Sequence, residues 1–416
     1  MGTNRQLRKI QDVDIRNKTV LYRSPYDIGV EEIDGELVLT DDSRMVASIP
    51  TLTYLLERDC KIVVLTYVKR PQGIEEKLRT NPHAKHLSDL LNRPVQKLDD
   101  CIGDMVRTHI SNMKSGDIVM LENTRFYSED NDNDDSFARE LAQNGEIIVF
   151  DGFPQAHRSQ ASVTGIMGYL PSYAGLYFQK EYEALSNLLE EVKHPFTVII
   201  GGAKISDKTE AINNLYEIAD SFLLGGGVAN VFIKAQGREI GGSYLEERSI
   251  DTSESEDWVG FAHGLLQKDT DLSLQQKIHV PQDVIIGQVD SSVRETHVIS
   301  FESDNTKISK TEAIYDIGPV TLQEYISIID QSKTVFWNGP LGLTEDERFN
   351  DGSIAIAKVM EKSSAQTILA GGDTIDVVND VADLSKFSHV SLAGGATLEF
   401  LAGKKLPAVE LLLEYS

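Results

Sequence analysis

The sequence predicts an α/β protein of two domains, each a parallel sheet with helices on both faces, and three observations support that class. At 416 residues the chain is longer than one hydrophobic core fills, so two domains of roughly 150 to 200 residues are expected. Short β-rich apolar runs alternate with helical patterns through both halves. The residues that follow these runs are basic in the first half and glycine in the second.

In the first half KTVLYR, SRMVASIPTLTYLLER, KIVVLTYV, HAKHLSDLLNR, DIVMLEN, SFARELAQN and EIIVFDGF read alternately as strand and helix. Such βαβα order gives a parallel sheet. FQKEYEALSNLLEEVKHP is an amphipathic helical stretch from Phe178 to about Lys193, closed by His194 and Pro195, and reads as a connector. A second and cleaner series starts near Phe196 with FTVIIGG, KTEAINNLYEIAD, SFLLGGG and VANVFIKAQ. It continues with TVFWNGP, SIAIAKVMEKS, QTILAGGD and HVSLAGG. The expected division is 1–178, an interdomain helix 179–195, a second domain 196–400, and a tail 401–416 returning to the first domain. The polar segment from Glu246 to Gln276 reads as a surface excursion with one helix and no chemistry of its own.

Hydrophobic residues at 41% and charged residues at 25% are those of an ordinary globular protein. No apolar run approaches the roughly 18 residues of a membrane span, and the first residues lack an apolar signal core. A cytosolic location is therefore expected. Cys60 and Cys101 have neither disulfide-framework nor metal-site spacing and read as small buried apolar residues. A net charge of -25 argues against nucleic acid or an anionic membrane as partner. A small anion needs only a local cluster of Arg and Lys, so individual placements decide.

In open α/β sheets ligands bind beyond the carboxyl ends of the strands. In the second half those positions hold Gly201-Gly202-Ala203-Lys204, Gly225-Gly226-Gly227, Asn338-Gly339-Pro340, Gly371-Gly372-Asp373-Thr374 and Gly394-Gly395-Ala396. A glycine after a strand is usually only a tight turn. Five such turns joined by Lys204, Lys208 and Asp373 instead point to backbone N–H groups approaching a polyphosphate. No segment fits the P-loop pattern, and the nearest dinucleotide pattern has Asn230 in place of its third glycine. Asp373 reads as a Mg²⁺ contact, an N-cap, or both.

In the first half the corresponding residues are Arg23, Arg70, Arg125 and Arg158, with Arg44 opening a helix. Each alone could be a solvated surface arginine. Together, in so acidic a chain, they read as converging forks for phosphate and carboxylate. One domain for a nucleotide, one for an anionic acceptor and a reaction in the cleft between them is the expected architecture.

LENTRF, AHRSQAS, GGAKISDK, LLGGGVAN, KAQGREIGGS, DIGP, TVFWNGPLG, AGGDT and FSHVSLAGGATLEFLAGKKLP resemble, in order, the motifs of the phosphoglycerate kinases, from about Val20 to Pro407. The resemblance implies two Rossmann-like domains and reversible phosphoryl transfer between 1,3-bisphosphoglycerate with ADP and 3-phosphoglycerate with ATP, assisted by Mg²⁺, in a monomer. By motif, Arg44, Arg70, Arg125 and Arg158 form the acceptor cradle, with Asp27 and Tyr67 at substrate positions. Arg44, Lys204 and Lys208 meet the moving phosphoryl. Gly202, Gly226, Gly227, Asn338, Gly371, Gly372, Thr374, Gly394 and Gly395 contact the nucleotide, Glu345 its ribose, and Asp373 the metal. The acceptor is a carboxylate with a pKa near ~4, so no general base is needed, and domain closure excludes water.

The family's R-V-D-F-N-V-P reads Arg23-Ser24-Pro25-Tyr26-Asp27-Ile28-Gly29 here, and its H-L-G-R-P reads Tyr67-Val68-Lys69-Arg70-Pro71. Gln160 replaces a histidine and Ala393 a glycine. A carboxylate at Asp27 facing the substrate would repel it. Three readings stand at this point: a divergent phosphoglycerate kinase, a kinase for another small phosphorylated acid, or a nucleotide-binding regulator without turnover.

Overall fold

The structure is a computed structural model that describes residues 5–246, 257–272, 276–290, 292, 294–302 and 307–415. It divides into two compact units, one of Met1–Glu183 with Lys405–Ser416, the other of Ala184–Lys404. The first boundary lies inside the helix Leu176–Glu190, which occupies the place of the expected connector.

The first unit is built on six parallel strands: β1 (Thr19–Arg23), β2 (Lys61–Leu65), β3 (Val95–Lys97), β4 (Ile118–Met120), β5 (Ile147–Phe150) and β6 (Ser172–Ala174). Their order is β3-β4-β2-β1-β5-β6. Val20, Tyr22, Ile62, Val64, Met120 and Val149 pack with Leu52 and Leu55 of helix Ser43–Leu56 and Leu87 of helix Asn81–Leu91. Residues Val30–Ile33 and Glu36–Leu39 form a hairpin over the two-residue turn Asp34-Gly35, both at positive φ. The C-terminal segment belongs here too: Leu413–Tyr415 pairs antiparallel with Arg5–Leu7, and the Ala408 N–H donates to the Ala156 carbonyl at 3.1 Å.

The second unit repeats the plan with β7 (Phe196–Ile200), β8 (Ser221–Leu224), β9 (Ile278–His279), β10 (Thr334–Asn338), β11 (Gln366–Ala370) and β12 (His389–Ser391). The parallel order is β9-β8-β7-β10-β11-β12. Every residue of β7 and β10 is buried, as expected of central strands covered on both faces. Ile199, Leu223, Val335, Trp337 and Leu369 pack against Tyr325, Ile329, Ile356, Met360 and Val378 from the crossover helices. A three-stranded antiparallel sheet of Asp283–Gln288, Thr296–Ser300 and Glu312–Ile317 is added to this unit.

In each unit the strand order reverses beside the first strand, between β1 and β5 and between β7 and β10. Those are the switch points at which a crevice opens beyond the strand ends. No helix of the described residues is long and apolar enough to cross a membrane. Cys60 and Cys101 are buried, and their thiols donate to the carbonyls of Ile15 (3.1 Å) and Glu122 (3.0 Å). Burial pushes Cys60 up to about 11 and Cys101 well above its usual value, so neither is a thiolate at neutral pH.

Candidate active site

At the switch point of the second unit a cavity of about 780 Å³ is lined by Gly202, Lys204, Lys208, Asn338, Gly371, Gly372, Asp373, Thr374, Gly394 and Gly395. Glycine lets the turns that build it come into close contact with their neighbours. A Cβ on Gly201 would sit 2.0 Å from the Pro340 carbonyl oxygen, so the loops after β7 and β10 touch backbone to backbone. Trp337, fully buried, donates from Nε1 to the Gly339 carbonyl at 2.8 Å, and the Gly339 N–H donates to Thr374 Oγ1 at 2.7 Å. The Asn338 amide donates to the Ala370 carbonyl at 3.0 Å. The ends of β10 and β11 and the start of helix Gly372–Val381 are thereby fixed together.

Lys204 is exposed in this cavity, whereas Lys208 is 9% exposed and donates to the Lys204 carbonyl at 3.1 Å. Burial pulls the Lys208 ammonium below its usual value, against Asp207, Asp373 and Glu246, which raise it. Glu246 was missed in the sequence, where its segment seemed chemically empty. Its carboxylate accepts the Ile205 N–H (2.7 Å), the Ser206 N–H (3.1 Å) and the Ser206 hydroxyl (2.7 Å), holding the loop that leads into Lys208. Nothing in local spacing links position 246 to position 205. Residues 247–256 and 273–275 of that segment lie outside the described residues; Trp258–Leu272 is its helix.

Gly226, Gly227 and Glu345 are not part of this cavity. Gly226 borders a separate narrow crevice with Ile314, Tyr315, Ile317, Leu341 and Asp316. A Cβ on Gly227 would meet the Ala203 carbonyl oxygen at 2.3 Å, and Glu345 is exposed. Ala393 is buried, and the positive φ of 60° falls on Gly394 instead, so alanine is conformationally ordinary there.

Beyond β1, β2 and β5 the first unit gathers cations. Arg23 is fully buried and gives its guanidinium to the carbonyls of Ser162 (3.0 Å) and Ser24 (2.9 Å), which corrects its reading as an open anion fork. Its Nη2 and the Nε of Arg125 are buried without a hydrogen-bond partner among the described residues. Both arginines stand over the Tyr67 ring: the Arg125 guanidinium sits 3.6 Å and that of Arg23 5.2 Å from the ring centroid. Gln155 donates to the Tyr67 hydroxyl at 2.8 Å, and burial raises the phenol above its usual value although that hydrogen bond opposes the shift. Arg44 donates to the Asp27 carbonyl at 3.0 Å, and Arg125 to the Lys69 carbonyl at 2.6 Å. The Asp27 side chain accepts the Lys69 N–H at 2.7 Å, so this carboxylate is tied to the loop after β2. Arg70 is exposed, Arg158 partly so, and Gln160 is buried with its amide donating to Asn131 at 2.6 Å.

A nucleotide-sized cavity bearing lysines and glycine turns on one α/β unit, with a cationic site at the matching place on another, defines a two-domain phosphotransferase. The phosphoglycerate kinase family model matches residues 10–404, and the chain belongs to that family. It is 39% identical over 404 residues to the phosphoglycerate kinase of Dictyoglomus turgidum, covering 97% of each chain. With that of Moorella thermoacetica it shares 38% over 408 residues, 97% of this chain and 98% of the other. The solved phosphoglycerate kinase of Coxiella burnetii superposes with a TM-score of 0.83 at 32% identity, covering 98% of this chain and 99% of that one. The structure from Pyrococcus horikoshii gives 0.82 at 30%, with 98% of each chain covered. The chain is thus a kinase whose co-substrates are ATP and ADP.

Proposed function

We propose that the second unit binds Mg-ATP or Mg-ADP in the cavity beyond β7, β10 and β11, and that the first unit binds 3-phosphoglycerate or 1,3-bisphosphoglycerate beside Arg44 and Arg125. The observation that carries the reading is the cavity itself, where Lys204, Lys208 and Asp373 share one space with four glycine-rich turns. Gly202, Asn338, Gly371, Gly372, Thr374, Gly394 and Gly395 line the phosphate path. Gly226, Gly227 and Glu345 serve the base and ribose. Lys208 and Lys204 stabilise charge on the transferring phosphoryl, the dominant need in such a reaction. Arg44 does so from the acceptor, whose phosphate and carboxylate Arg70, Arg125 and Arg158 hold with Asp27 and Tyr67 at its border.

The described residues contain no group of three or more His, Cys, Asp and Glu side chains fit to hold a metal alone. That suits Mg²⁺, which is usually bound through one or two carboxylates together with substrate phosphates. Asp373, exposed in the first turn of helix Gly372–Val381, is the carboxylate available to it in this cavity. When bound, Mg²⁺ neutralises developing phosphate charge. A cytosolic monomer completes the proposal.

Tyr67 and Asp27 favour one second reading, a kinase for a related phosphorylated acid, since both stand at the acceptor site. A coupled assay with ATP and 3-phosphoglycerate, run beside a panel of related acids, decides. Turnover of 3-phosphoglycerate with the highest kcat/KM of the panel is expected; preference for another acid would replace the substrate but not the chemistry.

A further inference from the structure

Lys69 is an exposed residue at φ 55° in the loop after β2. The other non-glycine residues at positive φ among those described are Asn17, Asp34, Asp59, Asn92 and Asn133. Asparagine and aspartate tolerate this region through local hydrogen bonds of their short side chains, whereas lysine has no such relief. Glycine, which stands here in the motif H-L-G-R-P, would fit without strain. Packing does not explain the lysine. Its Cε and Nζ lie 3.3 and 3.5 Å from where a Cβ on Gly29 would be, and the side chain stays exposed. Among the described residues its ammonium has no hydrogen-bond or ion-pair partner.

The surroundings give the lysine a use. Its N–H is held by Asp27, its carbonyl by Arg125, and Asp27 in turn holds Arg44 through its own carbonyl. Two cationic donors of the same cluster, Arg23 Nη2 and Arg125 Nε, are buried without partners among the described residues, as expected of a site that awaits an anion. Asp27 brings a negative charge to that cluster, and the positive end of Lys69 lies beside Gly29, two residues along the chain from Asp27. Strain kept at an exposed position beside a binding site is more readily explained by function than by stability.

We propose that Lys69 is a further acceptor-binding cation that offsets Asp27 and sets the preference of this site for acids carrying both a carboxylate and a phosphate. The inference rests on the acceptor assignment above. Lys69→Met keeps the stem and the strained backbone but removes the charge. In steady-state assays of the full chain it raises KM for 3-phosphoglycerate roughly three- to tenfold, the range of a screened contact at a partly exposed rim, with KM for ATP unmoved. Lys69→Arg restores most of the loss, and Asp27→Asn combined with Lys69→Met returns KM toward the wild-type value. Lys69→Gly raises KM equally while leaving Tm unchanged or higher, because glycine relieves the backbone; a purely structural role would move Tm and not KM. An unchanged acceptor KM in Lys69→Met overturns the proposal. If the wild type turns over none of the acids tested, the acceptor assignment falls instead. Titration of wild type and Lys69→Met with inorganic sulfate, which requires no turnover, then decides Lys69, and equal affinities would overturn it.

Discussion

At the scale of single residues, the chemistry turns on charges whose surroundings the structure supplies. Lys208→Ala removes a preorganised cation and is expected to lower kcat by roughly 10² to 10³, with nucleotide affinity changed much less; rapid-mix and steady-state kinetics separate the two. Asp27→Asn retains an oxygen that can accept the Lys69 N–H, so the loop is kept while a like charge is lost. Acceptor KM should fall with ATP KM unaltered, and a higher acceptor KM would show that the carboxylate supports the substrate. Asp316 is pushed up to about 7, chiefly by burial, although the N–H groups of Gly352 (2.9 Å) and Ile317 (2.8 Å) favour its ionised form. Between the ordinary carboxyl range and about pH 7 the folded state binds more protons at this site, so its contribution to stability falls as pH rises through that window and is level above it. Asp316→Asn should erase this slope in urea-unfolding stabilities compared from pH 4 to 8. Lys204, Arg70 and Arg125 were legible in the sequence as candidates, since they stand four or five residues past the ends of apolar strands. Glu246 was not, for its partners at 205 and 206 are reached only through the fold.

Elements were legible in proportion to their length. FTVII and TVFWN are five-residue buried runs and mark central strands from sequence alone. The edge strands Val95–Lys97, Ser172–Ala174 and Ile278–His279 have three, three and two residues, too few to show a period, and they pair only because a neighbour offers its edge. The hairpin at Val30–Leu39 carried a readable signal in Asp34-Gly35, a two-residue turn that suits positive φ at both positions. At this scale the joint between β10 and helix Gly372–Val381 invites a test. Thr374→Val removes the acceptor of the buried Gly339 N–H and should cost about 1 to 3 kcal/mol. The loss is read from the unfolding transition of the second unit, together with a raised KM for ATP. Thr374→Ser should retain most of both.

For the whole molecule, the division into two units follows chain order except at the end, where Lys405–Ser416 joins the first. Leu406, Ala408, Val409 and Leu412 are all nearly fully buried there. Deleting 405–416 should destabilise the first unit by several kcal/mol, given about 1.5 to 3 kcal/mol for each large apolar side chain returned to water. Mg-ADP affinity, measured by calorimetry, should persist because the second unit is one continuous stretch of chain. Unfolding indistinguishable from that of the intact protein would show the segment to be dispensable. The same arrangement has a consequence for how the polypeptide emerges from the ribosome. Domains usually fold in the order of their synthesis, yet here β1 to β6 are made before the second unit and must wait for a strand and helix made after it. The unit translated second can close on itself while the unit begun first still lacks residues 405–416, so the order of completion is the reverse of the order in which the two are begun.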